Sequence, residues 1–121
     1  MKLRQQIKQK NLYQEFLKVI SRGELPQREI DVLCLLIGID KSWKPRSPRE
    51  TKNVVSADNR KFIIAETKIN KNNLTKYINI LKRKGLLVRL ETGGYEVSRE
   101  VIPVVENNKV VVTFIIELNG E

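Results

Sequence analysis

The stretch IAETKINKNNLTKYINILKRKGLLVRLETGGYEV, residues 64–97, decides the reading of this chain. It predicts the end of a short helix, a tight turn, a second amphipathic helix, and two strands joined at Gly93-Gly94. Within residues 71–84, Leu74, Tyr77, Ile78 and Leu81 recur at helical spacing and fall on one narrow face. Asn72, Thr75, Lys76, Asn79 and Arg83 occupy the opposite face. Asn70 can cap the helix start, because its side-chain oxygen can accept from an otherwise unpaired backbone N–H. Gly85 suits the left-handed stop, and Lys82, Arg83 and Lys84 complement the negative end of the helix dipole.

The outer face of this helix has the chemistry of a groove reader. Asn pairs bidentately with adenine edges, Lys and Arg take guanine or phosphate, and Thr takes either. A solvated helix face also carries Lys and Asn, but it ordinarily mixes signs, and residues 67–90 contain no Asp or Glu. The excess is local. The formal net charge is +9, yet residues 1–40 carry +2, residues 41–89 carry +11 and residues 90–121 carry −4. A cationic middle third favours a polyanionic partner, nucleic acid ahead of an anionic membrane surface.

Outward from this stretch, residues 11–21 place Leu12, Phe16 and Ile20 on one helical face, and Gly23 suits its stop. Pro26 suits the opening of a second helix over 25–38, apolar at Ile30, Leu33, Leu36 and Ile37 and ended by Gly38. Residues 39–46 read as a loop. Ser47, Pro48 and Glu50 form a capping box, which predicts a helix from Pro48 toward Val55, interrupted by residues 56–59. A helix over 60–67 would bury Phe62, Ile63 and Ala65, although KFIIAE (61–66) also suits a short strand. Beyond residue 100, VIPVV (101–105), a turn at 106–108 and KVVVTFIIEL (109–118) predict a hairpin, with Pro103 at an edge or a bulge. Val110, Val112, Phe114 and Ile116 form one apolar face of the last strand, and Val111 and Ile115 the other. A strand apolar on both faces calls for cover on both sides, or for a second chain.

Residues 64–97 resemble the winged helix-turn-helix superfamily, which includes MarR-like and related bacterial and phage regulators. Ile69 sits at the buried turn position and Asn70 at the cap. Leu74, Ile78 and Leu81 match the core positions, and Lys84-Gly85-Leu86-Leu87 the junction into the wing. The resemblance implies strands at Leu86–Leu90 and Tyr95–Ser98, a wing tip at 91–94, and recognition by Lys71, Asn72, Asn73, Thr75, Lys76 and Asn79. Lys68 stands where the family usually has glycine, Glu91 and Glu96 flank the wing tip, and Arg89 is its one basic candidate. The expected fold class is α+β: one winged helix-turn-helix domain over 1–121, with its core at 25–98. To it are added an N-terminal helix, a lengthened link between the first two helices of the motif, and a C-terminal β-hairpin over 99–121.

The chain has no histidine and a single cysteine, Cys34, flanked by apolar residues. This argues against Ser-His triads, histidine general acids and structural zinc, and no glycine loop of the phosphate-cradling kind is present. No enzyme, no metal and no cofactor are expected. MKLRQQIKQK lacks an apolar signal core, and no run approaches the roughly 20 apolar residues of a membrane span, so the expected place is the cytoplasm, without a membrane partner. Trp43, between Lys41, Lys44 and Arg46, would either stack on a base or fold back over the core.

The leading expectation is a DNA-binding protein, a transcription regulator or replication accessory. Helix 71–84 would enter the major groove, and contacts would come from Lys68, Asn70, Lys71, Asn72, Asn73, Thr75, Lys76, Asn79, Arg83 and Arg89. A homo-oligomer or partner protein would join through strand 109–118. One alternative is the same fold used as an adaptor in a larger assembly, such as a phage virion or connector; another is RNA as the partner in place of DNA, which the sequence ranks behind DNA.

Overall fold

Apolar residues three and four apart become helices, and the branched residues that follow become short hairpins. The structure, a computed structural model, describes residues 12–111. Among them are four helices: α1 (Leu12–Ser21), α2 (Gln27–Ser42), α3 (Ala57–Thr67) and α4 (Lys71–Arg83). Strands β1 (Leu87–Arg89) and β2 (Tyr95–Val97) form one antiparallel hairpin, pairing Leu87 with Val97 and Arg89 with Tyr95. A short 3-10 turn, Arg99–Val101, leads to β3 (Val104–Glu106) and β4 (Lys109–Val111), paired Val104 with Val111 and Glu106 with Lys109. The architecture is α+β.

Helix α2 is the centre. Its Ile30, Val32, Leu33, Leu36 and Ile37 are buried against Phe16 and Leu17 of α1, Ile63 of α3, Leu74, Ile78 and Leu81 of α4, and Leu87 and Val97 of the first hairpin. Two polar ties add to this apolar seam. Gln27 donates to Gln14, and Gln14 donates to Asp31, joining α1 to α2. Lys84 donates to the buried Glu29 at 2.6 Å, joining the end of α4 to the start of α2.

Several expectations need correction. Gly38 does not end the second helix, which runs on to Ser42 and takes in residues 39–42 of the expected loop. Neither a clash nor a left-handed φ marks Gly38, and the apolar seam continues past it, so packing overrides its weak helix propensity. The helix expected from Pro48 toward Val55 does not form. Glu50 instead closes a turn by donating its N–H to Ser47 O and accepting from Arg46 N. The chain then runs to Val54 and Val55, which are buried. Burial of these two β-branched residues against the hairpin outweighs a local capping signal. Residues 56–59 do not interrupt a helix but start one: the Ser56 side chain accepts from Asn59 N, and α3 follows. KFIIAE is therefore helical. Ile63 faces the core, while Phe62 is 46 % exposed and Ala65 is exposed, because one helix face cannot hold all three of these positions.

The second hairpin turns at Asn107-Asn108, both with positive φ, as two-residue hairpin loops require. Of the expected apolar face, Val110 is half-buried against the core, and Val112, Phe114 and Ile116 lie outside the described residues. Val104, Val105 and Val111 are about half exposed.

Two glycines give opposite tests. At Gly94 an added Cβ would lie 1.9 Å from Lys52 O, so Gly94→Ala should destabilise the protein by roughly 1–3 kcal/mol. Gly38 is helical with open space around it, so Gly38→Ala should stabilise by about 0.5–1 kcal/mol. Urea midpoints of the two variants check both signs.

Candidate nucleic-acid interface

The candidate interface is built on the turn between α3 and α4. Thr67 closes α3 by donating its hydroxyl to Ile63 O and accepting from Ile69 N. Lys68 follows with φ +61, the left-handed conformation that glycine adopts freely and lysine adopts at a cost. Ile69 is buried and pins the turn, and Asn70 Oδ1 accepts from Asn73 N at 2.8 Å to start α4. Residue 68 therefore has the backbone conformation of a glycine turn without the glycine.

Helix α4 buries Leu74, Ile78 and Leu81, which leaves Lys71, Asn72, Asn73, Thr75, Lys76, Asn79 and Arg83 exposed together. Lys68, in the turn before α4, and Arg89, in β1, are also exposed. Among the described residues, Lys68, Lys71, Lys76, Arg83 and Arg89 have no carboxylate within salt-bridge distance. The neighbouring cations are engaged internally. Lys82 lies 4.2 Å over the Tyr95 ring, and Lys84 holds Glu29. Two of the expected contact residues also have internal work. Asn70 spends its side-chain oxygen on the cap, and the Thr75 hydroxyl donates to Lys71 O while accepting from Arg60 Nη1. The face can therefore present amide and ammonium donors toward an anionic surface, with Asn72, Lys76 and Asn79 at its middle.

Sequence reasoning missed the group that holds this face in place. Asp40, near the end of α2, is buried, and its carboxylate gathers three segments of the chain. Oδ2 accepts from Val97 N at 2.9 Å, Oδ1 accepts from Lys52 Nζ at 2.9 Å, and Arg99 Nη2 reaches both oxygens at 2.8 Å. Glu96 shares Lys52 at 3.3 Å and Arg99 at 3.4 Å. Along the outer edge of β2, Asn53 Oδ1 accepts from Tyr95 N, Tyr95 O accepts from Val54 N, and Val97 O accepts from Arg99. That edge is thus capped by side chains and by the 53–54 backbone. The partners of Asp40 lie 12, 57 and 59 residues away, so no local pattern announces them. Trp43 caps α2, half-exposed, with Lys52 Nζ 5.7 Å over its ring; it folds toward this hub.

Burial alone would raise the Asp40 pKa. The Arg99 guanidinium, the Val97 N–H and the Lys52 ammonium outweigh it and hold the carboxyl below its ordinary value. Cys34 shows the opposite balance. Burial, aided by Asp31, pushes its thiol up to about 12, which suits a packing residue and not a nucleophile. It lines a shallow surface cleft with Gln14, Arg28, Asp31, Leu35, Glu66 and Thr67. No group of acids, cysteines or histidines among the described residues is arranged to hold a metal ion, and no described helix is long and apolar enough to cross a membrane.

No protein-family model, curated protein or solved structure matches this chain.

Asp40→Asn should destabilise the protein by about 1–3 kcal/mol at neutral pH, since Lys52 and Arg99 lose their shared counter-charge. A carboxyl whose folded pKa is depressed contributes fully above its ordinary value of 3.8, and the contribution disappears as pH falls through the lower folded value. The stability gap between wild type and Asp40→Asn should therefore be flat near neutrality and close in acid, as measured by denaturant titration at several pH values. Cys34 in the folded protein should react with iodoacetamide far more slowly than in the urea-unfolded chain, as followed by mass spectrometry.

Proposed function

We propose that this chain is a DNA-binding protein of the winged helix-turn-helix kind, acting as a transcription regulator or replication accessory. Helix α4 enters the major groove. The observation that carries the reading is the exposed face of α4, rich in amide and lysine side chains, without acid, and bounded by cations that have no described internal partner. The order of elements supports it: a helix, a left-handed turn at Lys68, a capped second helix, then a two-stranded hairpin.

In this reading Asn72, Lys76 and Asn79 meet base edges, because they sit in the middle of the face with their polar ends free. Lys68, Lys71, Arg83 and Arg89 meet phosphates around it. Asn70 and Thr75 serve the interface by shaping it, through the cap and the Arg60 contact. The protein acts in the cytoplasm without cofactor or catalysis. It pairs with a second copy or a partner protein through the C-terminal hairpin, whose Val104, Val105 and Val111 are exposed. That apolar exposure also favours a second reading, an adaptor module docked in a larger assembly through the same hairpin.

Engagement of about six phosphates lowers affinity roughly a thousandfold between low and physiological salt. The test is a salt-titrated binding assay on random-sequence and selected duplexes, for wild type and for Asn72→Ala with Lys76→Ala. The double variant should lose discrimination between duplexes while keeping most of its general affinity. Binding that ignores salt, or no duplex binding at any salt, favours the adaptor.

A further inference from the structure

Arg60, in the first turn of α3, reaches toward the exposed face of α4, and its side chain is held at two points. Nε donates to Val55 O at 2.8 Å, and Nη1 donates to Thr75 Oγ1 at 3.4 Å. The Thr75 hydroxyl is itself oriented, because it donates to Lys71 O at 3.1 Å. A guanidinium carries five N–H donors in a rigid plane, and these two bonds leave the others unspent. Arg60 is half-buried, has no carboxylate partner among the described residues, and lies beside the residue that precedes Lys76.

We infer that Arg60 is a preset phosphate contact, which takes a backbone phosphate of the duplex with its remaining N–H groups while α4 lies in the groove. This rests on the groove reading of α4. The ligand chemistry is a phosphodiester oxygen pair, which a planar guanidinium meets with parallel N–H bonds. Lysines on α4 must lose side-chain freedom on contact, whereas Arg60 has already lost it by gripping Val55 O. The contact therefore sets the register of α4 along the groove: the Val55 carbonyl fixes Arg60 relative to the first hairpin, and Thr75 fixes it relative to the base-facing side chains. The Arg60 ion does no internal neutralising work, unlike Lys52, Lys84 and Arg99, each of which sits on a buried carboxylate.

The test compares wild type, Arg60→Gln, Arg60→Lys and Arg22→Gln in salt-titrated duplex binding, with melting curves for each. Arg22 is an exposed cation in the turn after α1, so its variant controls for net charge. Loss of one phosphate contact lowers the slope of log affinity against log salt by about 0.9. Arg60→Gln should show that drop, Arg60→Lys should restore the slope at weaker affinity, and Arg22→Gln should match wild type. In addition, the Arg60 Nε–H resonance of the unmutated protein should shift on adding duplex, which serves even if Arg60→Gln fails to fold. A weaker Arg60→Gln with an unchanged slope, or an unmoved resonance in a protein that binds duplex, overturns the inference and leaves Arg60 as an internal tie. A wild type that shows no salt-dependent binding instead overturns the groove reading, and this inference falls with it.

Discussion

The arrangement turns on the buried carboxylate of Asp40. Three segments remote in sequence meet at its two oxygens: the end of α2, Lys52 before α3, and residues 97–99, where the β2 backbone and the Arg99 side chain both donate. A charge taken out of water is costly unless its lone pairs are met by donors, and here the donors come from segments 12 and 57–59 residues along the chain. Position at the first hairpin is thus set from α2, the helix that also carries the apolar core. Helix α4 is seated on the same α2 face through Leu74, Ile78 and Leu81, and Lys82 lies over Tyr95 of β2. The exposed face of α4 and the hairpin beside it are therefore held to one reference body.

The basic residues divide by that geometry. Lys52, Lys84 and Arg99 point inward to Asp40, Glu29 and Glu96, and Lys82 lies on an aromatic ring. Lys71, Lys76 and Arg83 point outward with nothing of the described chain to neutralise them. Formal charge alone treats these groups as equal. What distinguishes them is whether a carboxylate from a distant segment arrives beside them, and that is a property of the fold.

The same distinction explains what could be read in the sequence. Helix α4 was legible in full, cap and stop included, because its apolar spacing, Asn70 and Gly85 all agree locally. The first hairpin was legible to within a residue at each strand end, since a glycine pair between branched runs leaves few alternatives. The exposed face of α4 followed from the helix. What failed was the segment 47–59, where a local capping pattern at Ser47–Glu50 pointed to a helix and the burial of Val54 and Val55 decided otherwise. Phe62 failed for a related reason: hydrophobicity marks a residue as fit for a core, but helix phase decides which of three neighbours enters it. Asp40 was illegible because its meaning lies in partners 12 to 59 residues away.

The Asp40–Val97 bond spans 57 residues, which gives the hub a kinetic aspect as well as a static one. Bringing the ends of a loop of that length together costs roughly 3–4 kcal/mol of chain entropy beyond a constant. The Lys52–Glu96 and Val54–Tyr95 contacts lie within the same closure, so they add to its reward without repeating its full cost. Segment 50–55 has no helix or strand of its own among the described elements, and the first hairpin is only three residues long in each strand. Neither persists well alone. Loop and hairpin therefore order and melt as one cooperative unit, and a single long-range closure governs both.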